Sequence, residues 1–291
     1  MTVILRCIEL SMTRFFNKTD MISFNATTTN NEELSKLSCP FQIMPGGRSS
    51  LSTQQISKFI EMKNNNILIH ASYITRPFSS DISNITRINL RNYTVLAKKL
   101  GTKDILIHMP SSVMEVSNFT NGLACINKEV IDNDCICHLE TNPLTKDLFK
   151  YLDMNKDNAY EMYNDYVESL WSAIPSKYRS KYRIVVDTAH LHANGLTTDE
   201  MIKFLDKWRP HIKYVHFNGN NNGIFTRDLH VPMYMPKNQI NDTDKLAKYM
   251  TKEKLIGIAE DSTIKGDYDS WKEFCDKYKL ELVPYSDLFS I

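Results

Sequence analysis

Short apolar runs rich in β-branched residues recur along the whole chain, separated by stretches long enough to form helices. Eight such runs are present, at residues 2–10, 38–44, 66–70, 104–108, 135–140, 183–187, 213–217 and 255–260. Runs that are almost continuously apolar are typical of strands buried on both faces of a parallel sheet. Eight strands alternating with helices predict an α/β protein, a (β/α)8 TIM barrel. A doubly wound parallel sheet is the structural alternative.

The stretches between these runs have the length and amphipathic pattern of helices. The candidate helices cover residues 52–63, 82–100, 113–127, 147–173, 198–208 and 243–252. Thr197 and Glu200 have the spacing of a capping box at the start of one of them. The sequence has no internal repeat and no linker rich in proline, glycine or serine, so it predicts one domain over residues 1–291.

The composition is that of a soluble globular protein, with 42% hydrophobic and 24% charged residues. A net charge of only +1 argues against a uniformly basic surface of the kind that attracts nucleic acid. The apolar stretch at the amino terminus is interrupted by Arg6 and Glu9, and no run of roughly 18 apolar residues occurs. We therefore expect a cytoplasmic protein that is neither secreted nor bound to a membrane.

Potential metal ligands stand at or near the ends of six consecutive predicted strands. They are His70, His108, Glu140, Asp187, His216 and Glu260. In a barrel, the carboxyl ends of all strands meet on one face, where active sites are built. A single histidine at a strand end is more often a structural residue than a ligand. Repetition on six strands instead predicts one shared site.

Three further residues of the same kind follow two of these strands. His190 comes three residues after Asp187, and Asp228 and His230 follow the seventh strand. The complete set of five histidines and four carboxylates suits Zn²⁺ or Mn²⁺, and it is too large for one ion. Two or three ions that share a bridging carboxylate would account for it, and such clusters hydrolyse phosphate esters.

These motifs resemble the endonuclease IV family of apurinic/apyrimidinic endonucleases, which has a xylose isomerase-like barrel. The matching segments are FQIMPGGR (41–48), HASY (70–73), IHMPSS (107–112), HLETN (138–142), VVDTAHLHANG (185–195), HFN (216–218), RDLH (227–230) and AED (259–261). The match over residues 185–195 is the most specific.

The resemblance implies three zinc ions per chain, with Mn²⁺ as an alternative at one position. The ligands of the first would be His70, His108 and Glu140. The ligands of the second would be Glu140 as the bridge, Asp187, His216 and Glu260. The ligands of the third would be His190, Asp228 and His230. Glu140 and Glu260 would also take part in catalysis.

The resemblance further implies an activity in DNA base excision repair. The enzyme would hydrolyse the phosphodiester 5′ to an abasic site, leave a 3′-hydroxyl, and remove blocking groups from 3′ ends. Its partner would be double-stranded DNA, and the protein would be a monomer. Arg48, Tyr73 and Ile74 match positions at which the family inserts side chains into bent DNA.

The chain departs from the family pattern in several loops that would face DNA. Leu229 stands where an arginine is usual, Gly219 replaces an aspartate, and residues 143–147 and 231–236 differ. Two other functions therefore stay open: a metal-dependent sugar isomerase or epimerase on the same barrel, and a non-catalytic protein that binds abasic sites or DNA ends. The isomerase needs only about two ions, so the third ligand group separates it from the endonuclease.

Four other residues with metal-binding side chains lie close to the predicted ligands in the sequence. Cys135 and Cys137 are expected to be buried structural residues that face away from Glu140. His138 should lie on the Glu140 side, deeper in the barrel, where the sequence offers no role for it. His192 is expected to lie behind a ligand or at the surface.

Overall fold

Seven parallel strands form one sheet in which the spatial order follows the order along the chain. This computed structural model describes residues 41–43, 67–72, 74–258, 273–274 and 276–278. The strands of the sheet are β1 (Phe41–Ile43), β2 (Ile67–His70), β3 (Asp104–His108), β4 (Ile136–Glu140), β5 (Tyr182–Asp187), β6 (Ile212–His216) and β9 (Ile256–Ile258). Two short strands, β7 (Gly219–Asn220) and β8 (His230–Val231), form a separate antiparallel hairpin.

The seven strands coincide with the second to eighth runs predicted from the sequence. Each pairs in parallel with the preceding strand of the sheet. A doubly wound sheet reverses its strand order at a switch point, and the described strands show no such reversal. This order favours the barrel over the alternative. The predicted strand at residues 2–10 lies outside the described residues.

Nine α-helices are described, and most of them connect successive strands. They are α1 (Asn84–Leu100), α2 (Val113–Ser117), α3 (Phe119–Glu129), α4 (Lys146–Tyr151), α5 (Ala159–Ala173), α6 (Ser176–Arg179), α7 (Thr188–Ala193), α8 (Thr198–Trp208) and α9 (Thr243–Glu253). The bounds of α8 are those predicted, and the capping box of Thr197 and Glu200 is present. The predicted helix at residues 52–63 lies outside the described part of the chain.

Two predicted helices are each divided in the structure, so their predicted bounds are wrong. Residues 113–127 break at Asn118 into α2 and α3, and residues 147–173 break between Leu152 and Asn158 into α4 and α5. Asparagine side chains bond the backbone at both breaks: Asn118 donates to Met114 O at 2.8 Å, and Asn158 donates to Asp153 O at 2.9 Å. Such local bonds compete with helix formation.

Side chains on the two faces of the sheet form two separate apolar layers. The inner layer consists of Leu68, Leu106, Val185, Tyr214 and Ile258. The outer layer is larger, and in it the opposite faces of the strands pack against the helices. Burying one such side chain stabilises the fold by about 1.5–3 kcal/mol relative to its exposure. These two layers are the core that fixes the register of the strands.

The strand β4 shows how this alternation positions the polar residues. Cys137 and Leu139 are buried in the outer layer, whereas His138 and Glu140 lie on the other face of the strand. The prediction that Cys137 faces away from Glu140 is thereby confirmed, and Cys135 is also buried and unpaired with another cysteine. Across the described ranges, no helix is long and apolar enough to cross a membrane.

Candidate metal centre

The strand register brings the predicted ligands together at the carboxyl ends of the strands. His108 lies opposite Glu140 in the pairing of β3 with β4, and Asp187 lies opposite His216 in the pairing of β5 with β6. His108, Asp187 and His216 each follow an inner-layer side chain by two positions, as His70 follows Leu68. Glu140 follows the buried His138 by two positions. The period of two therefore directs these side chains to the inner side of the sheet.

The first group of potential ligands consists of His70, His108 and Glu140. Glu140 Oε2 lies 3.3 Å from His70 Nε2 and 3.2 Å from His108 Nε2. This oxygen is buried and has no hydrogen-bond partner among the described residues. A buried carboxylate oxygen without such a partner is costly unless a cation compensates for it. The three side chains thus form a site that a divalent ion would fit.

The second group consists of Glu140, Asp187 and His216. His216 Nδ1 lies 2.7 Å from Glu140 Oε1 and 3.6 Å from Asp187 Oδ2. All three residues are fully buried. Since Glu140 presents one oxygen to each group, it stands between them as a bridging ligand would.

The third group predicted from the sequence is His190, Asp228 and His230, which the structure brings together. The cluster that the geometry gives here contains Asp187 with His190 and His230, so Asp187 lies beside the predicted group. Asp228 Oδ2 lies 2.9 Å from His230 Nε2 and 3.6 Å from His190 Nε2, and the two imidazole nitrogens are 3.4 Å apart. His190 lies on α7, whereas Asp228 and His230 come from the loop and hairpin that follow β6. This group is therefore assembled from two elements outside the seven-stranded sheet.

Three of the histidines hydrogen-bond an oxygen atom through the nitrogen that points away from the cluster. His70 Nδ1 donates to Ala71 O at 2.8 Å, and His190 Nδ1 donates to Thr141 O at 2.5 Å. His216 Nε2 donates to Gln42 Oε1 at 2.9 Å. Metal-binding histidines are oriented in this way, because the outer bond fixes the tautomer and leaves the other nitrogen for the ion.

Charge within the cluster favours ionised carboxylates. Burial acts to raise the pKa of Glu140, but the imidazoles of His216 and His108 outweigh it and hold this pKa well below its usual range. Asp228 is likewise desolvated, yet its bonds with His190 and His230 lower its pKa. Burial acts to lower the pKa of His190, but the carboxylates, led by Asp187, raise it to about 10. The negative charge of these carboxylates therefore favours the binding of protons or metal ions by the cluster.

The donor atoms of the three groups are imidazole nitrogens and carboxylate oxygens, the ligands that Zn²⁺ and Mn²⁺ accept. Within each group the candidate atoms lie within 4.8 Å of one another. The structure thus contains clusters that can bind metal ions, and two of them share Glu140.

Several residues around the site were not found from the sequence. Gln42 on β1 and Asn218 after β6 are buried, and Asn218 Nδ2 donates to Asp187 Oδ2 at 2.8 Å. Thr188 Oγ1 accepts a bond from Asn218 N at 3.0 Å. Gln42 is the single polar residue within a short apolar strand, which is a usable signal for an inward-facing position. Asn218 and Thr188 carry no such signal outside their motifs.

The structure shows the hydrogen-bond partners of His138 and His192, two histidines to which the sequence assigns no defined role. His138 Nε2 donates to Asp104 Oδ1 at 2.8 Å, so it takes part in a second polar cluster that includes the first residue of β3. His192, expected behind a ligand or at the surface, is buried and lies within 3.1 Å of the Asn220 amide through its Nδ1 atom. Neither belongs to the three potential metal groups.

Some predicted site residues cannot be placed in this geometry. Glu260, Arg48 and Tyr73 lie outside the described residues, so their assignments remain predictions. Ile74 is described, and 41% of its surface is exposed. It follows the carboxyl end of β2, the end at which His70 stands, and its exposed side chain is accessible to a large ligand.

Solved structures with a similar fold come from several kinds of protein. The crystal structure of AsfvAP:AG superposes with a TM-score of 0.65 at 16% identity, over 96% of this chain and 99% of that chain. Endonuclease IV from Thermus thermophilus gives 0.61 at 15% identity, over 86% and 94% of the two chains. A D-tagatose 3-epimerase-like protein gives 0.60 at 18% identity, over 82% and 88%.

These similarities show the fold, a parallel (β/α) barrel, which this chain shares with a xylose isomerase domain protein from Planctomyces limnophilus as well. Most of the named neighbours on this fold are enzymes, among them an endonuclease and epimerases. At 10–18% identity they do not distinguish one activity from another. No protein-family model matches the sequence, and no curated protein matches it.

Proposed function

We propose that the protein is a zinc-dependent apurinic/apyrimidinic endonuclease of the endonuclease IV type. It would hydrolyse the DNA phosphodiester 5′ to an abasic site, leave a 3′-hydroxyl and remove blocking groups from 3′ ends. The observation that carries the proposal is the third group, His190, Asp228 and His230, which lies beside Asp187 and extends the cluster beyond two shared sites.

The residues present fit the ions that this function requires. The first group would hold one ion, and the second would hold another together with Glu260. The third group would hold a third ion. When bound, such ions stabilise negative charge on the attacking and leaving oxygens of a phosphodiester. Mn²⁺ would be accepted by the same donors at one of the positions.

The protein's own contribution is the fixed orientation of these donors. Gln42 and the carbonyls of Ala71 and Thr141 hold three imidazole rings by hydrogen bonds. Asn218 holds one oxygen of Asp187, while the other oxygen accepts the backbone N–H of His190 at 3.0 Å. Glu140 is fully buried, so its charge is weakly screened by solvent and acts strongly on any ion beside it. Catalytic roles for Glu140 and Glu260 are part of the proposal.

DNA would be bound by the loops that follow the strands. Ile74 is exposed on the loop after β2, and Arg48 and Tyr73 complete the set of proposed DNA-contacting side chains. An abasic sugar has no base to recognise, so recognition would depend on the deformability of the duplex and on side chains that fill the gap. Double-stranded DNA with an abasic site or a blocked 3′ end is thus the proposed partner.

A sugar isomerase or epimerase is the second candidate, because an epimerase-like protein has nearly the same TM-score as the endonuclease. Such an enzyme has no use for a third ion. Metal content therefore separates the two candidates: three zinc ions per chain support the endonuclease, and at most two favour the isomerase.

The direct test uses a duplex that carries one tetrahydrofuran analogue of an abasic site, incubated with the zinc-loaded protein. We expect a single cut 5′ to the analogue and a product with a 3′-hydroxyl, whereas the matched undamaged duplex stays intact. An uncut duplex would rule out the endonuclease. Tight binding without cutting would support the third candidate, a non-catalytic protein that binds abasic sites or DNA ends.

A further inference from the structure

We propose that Asn220, together with His192, is a positioning residue that holds the hairpin carrying His230 against the helix carrying His190. This arrangement would set the affinity of the third ion site. The inference rests on the proposed function, because that function requires the third ion. It concerns two residues that supply no atom to any of the potential metal groups.

The Asn220 side chain joins the two ends of the connection between β7 and β8. Its Oδ1 atom accepts the backbone N–H groups of Asn222 and Leu229, both at 3.0 Å. Leu229 stands between Asp228 and His230, and its carbonyl accepts the N–H of Asn221 at 2.9 Å. One buried amide oxygen therefore fixes the backbone on which two of the three ligands stand.

The backbone of Asn220 is attached to a second segment behind the hairpin. Its N–H donates to Asn238 Oδ1 at 3.0 Å, and its carbonyl accepts the N–H of Gln239 at 2.7 Å. In the β7–β8 pairing, Asn220 lies directly opposite His230. The position of His230 therefore depends on how firmly Asn220 is held.

His192 connects the same amide to the helix that carries His190. The Asn220 Nδ2 group donates to His192 Nδ1 at 3.1 Å, and both residues are buried. Since His192 and His190 lie on the same short helix, α7, a continuous series of hydrogen bonds links the elements that supply the ligands of the third group.

Strand pairing alone is a weak support for this hairpin. Each of β7 and β8 has two residues, and an isolated two-stranded ribbon is marginally stable in water. Residues that only orient metal ligands typically change metal affinity by about 10–100-fold when they are mutated. We assign to Asn220 and His192 an effect of that size on the third ion and none on the first two.

The experiment measures zinc bound per chain by mass spectrometry of metal content, after dialysis against a series of zinc buffers. In the wild-type protein we expect three ions. In Asn220→Ala and His192→Leu we expect two ions at unchanged affinity and a third weakened by about 10–100-fold. His192→Asn keeps an acceptor close to the Nδ1 position, so it should restore most of the third ion's affinity.

Asn164→Ala is the matched control, because Asn164 is a buried asparagine that accepts the Trp208 indole N–H on the helical side of the barrel. It should bind all three ions as the wild type does, with circular dichroism as the measure of folding. If Asn220→Ala fails to fold, the affinity of His192→Leu and His192→Asn for the third ion tests the inference. A wild-type affinity for the third ion in His192→Leu would overturn the inference, as would the same result in a folded Asn220→Ala. Two ions in the wild type would instead overturn the three-ion premise of the proposed function.

Discussion

His138, in the middle of β4, donates a hydrogen bond to Asp104 across 2.8 Å, and Asp104 stands at the opposite end of β3 from His108. The same carboxylate accepts Lys213 Nζ at 2.5 Å and the Tyr214 hydroxyl at 3.2 Å. The inner side of the sheet therefore has a second polar cluster, nearer the amino ends of the strands than the potential metal groups. The cluster around Asp104 joins β3, β4 and β6 by hydrogen bonds, and the proposed metal centre also brings together side chains from these three strands.

The first prediction concerns stability in acid. Burial acts to raise the pKa of Asp104, but bonds with His138 and Lys213 lower it below its ordinary value. A lowered pKa means that the ionised carboxylate stabilises the fold above its unfolded-state pKa of about 3.9, and that this stabilisation is lost as the pH falls below it. Asp104→Asn should destabilise the protein by about 1–3 kcal/mol near neutrality and flatten the pH dependence of stability below pH ~4.

Urea unfolding over a range of pH measures this effect. Asp132→Asn serves as the control, because Asp132 is exposed on the short helix that precedes β4. An equal loss of stability at neutral pH in both variants would contradict the role assigned to Asp104.

The second prediction concerns the carboxylate shared by two groups. Glu140→Gln keeps the shape of the side chain and removes the charge between His70, His108 and His216. We expect a loss of bound zinc and a fall in endonuclease activity of more than about 100-fold, beyond the effect of residues that only orient ligands. Metal content and single-turnover cleavage measure it. Unchanged turnover at full zinc content would show that the ligand assignment is wrong. Glu260→Gln should behave in the same way if Glu260 completes the second group.

The third prediction concerns metal removal and DNA affinity. With a net charge of +1, the chain has little overall attraction for a polyanion, whereas each divalent ion adds two positive charges at the proposed site. Chelation should therefore weaken binding of an abasic duplex by more than about tenfold, or about 1.4 kcal/mol. Fluorescence anisotropy before and after chelation, with zinc added back, provides the measurement. If affinity is retained while circular dichroism shows an intact fold, the ions do not contribute to binding.

The fourth prediction concerns the exposed Ile74. If this side chain becomes buried against a bent duplex, Ile74→Ala should weaken binding of the damaged duplex by about 1–2 kcal/mol and leave zinc content unchanged. Ile85→Ala is a suitable control that should leave binding unchanged, since Ile85 lies on α1 and is 53% exposed, compared with 41% for Ile74. Equal binding by the wild type and Ile74→Ala would exclude Ile74 from the DNA-contacting set.

The strands and the polar residues at their ends could be predicted from the sequence, because side chains alternate between the two faces of a strand with a period of two residues. A buried parallel strand is an apolar run, and a residue two positions beyond an inner-layer side chain must face the same way, as Asp187 follows Val185. Eight of the nine predicted ligands are described, and each lies in one of the three groups or within 3.6 Å of one.

The helix breaks and the hydrogen bonds that orient the ligands could not be predicted from such a sequence pattern. The break at Asn118 depends on the bond from its side chain to the carbonyl of Met114. Asparagine also occurs inside helices such as α1, so its presence alone does not predict a break. The contact of Gln42 with His216 joins residues 174 positions apart, and nothing local in the sequence marks such a pair. The role of His138 required its partner Asp104 to be known, which only the strand register supplies.

The β7–β8 hairpin is antiparallel and takes no part in the seven-stranded sheet, yet this region of the chain supplies two of the three residues of the third group. Residues 219–231 therefore lie outside the strands that present Glu140, Asp187 and His216. If the third ion is bound as proposed, a change in this one short segment would remove or restore its site and leave the sheet intact. New chemistry can evolve on such a scaffold while the core stays as it is.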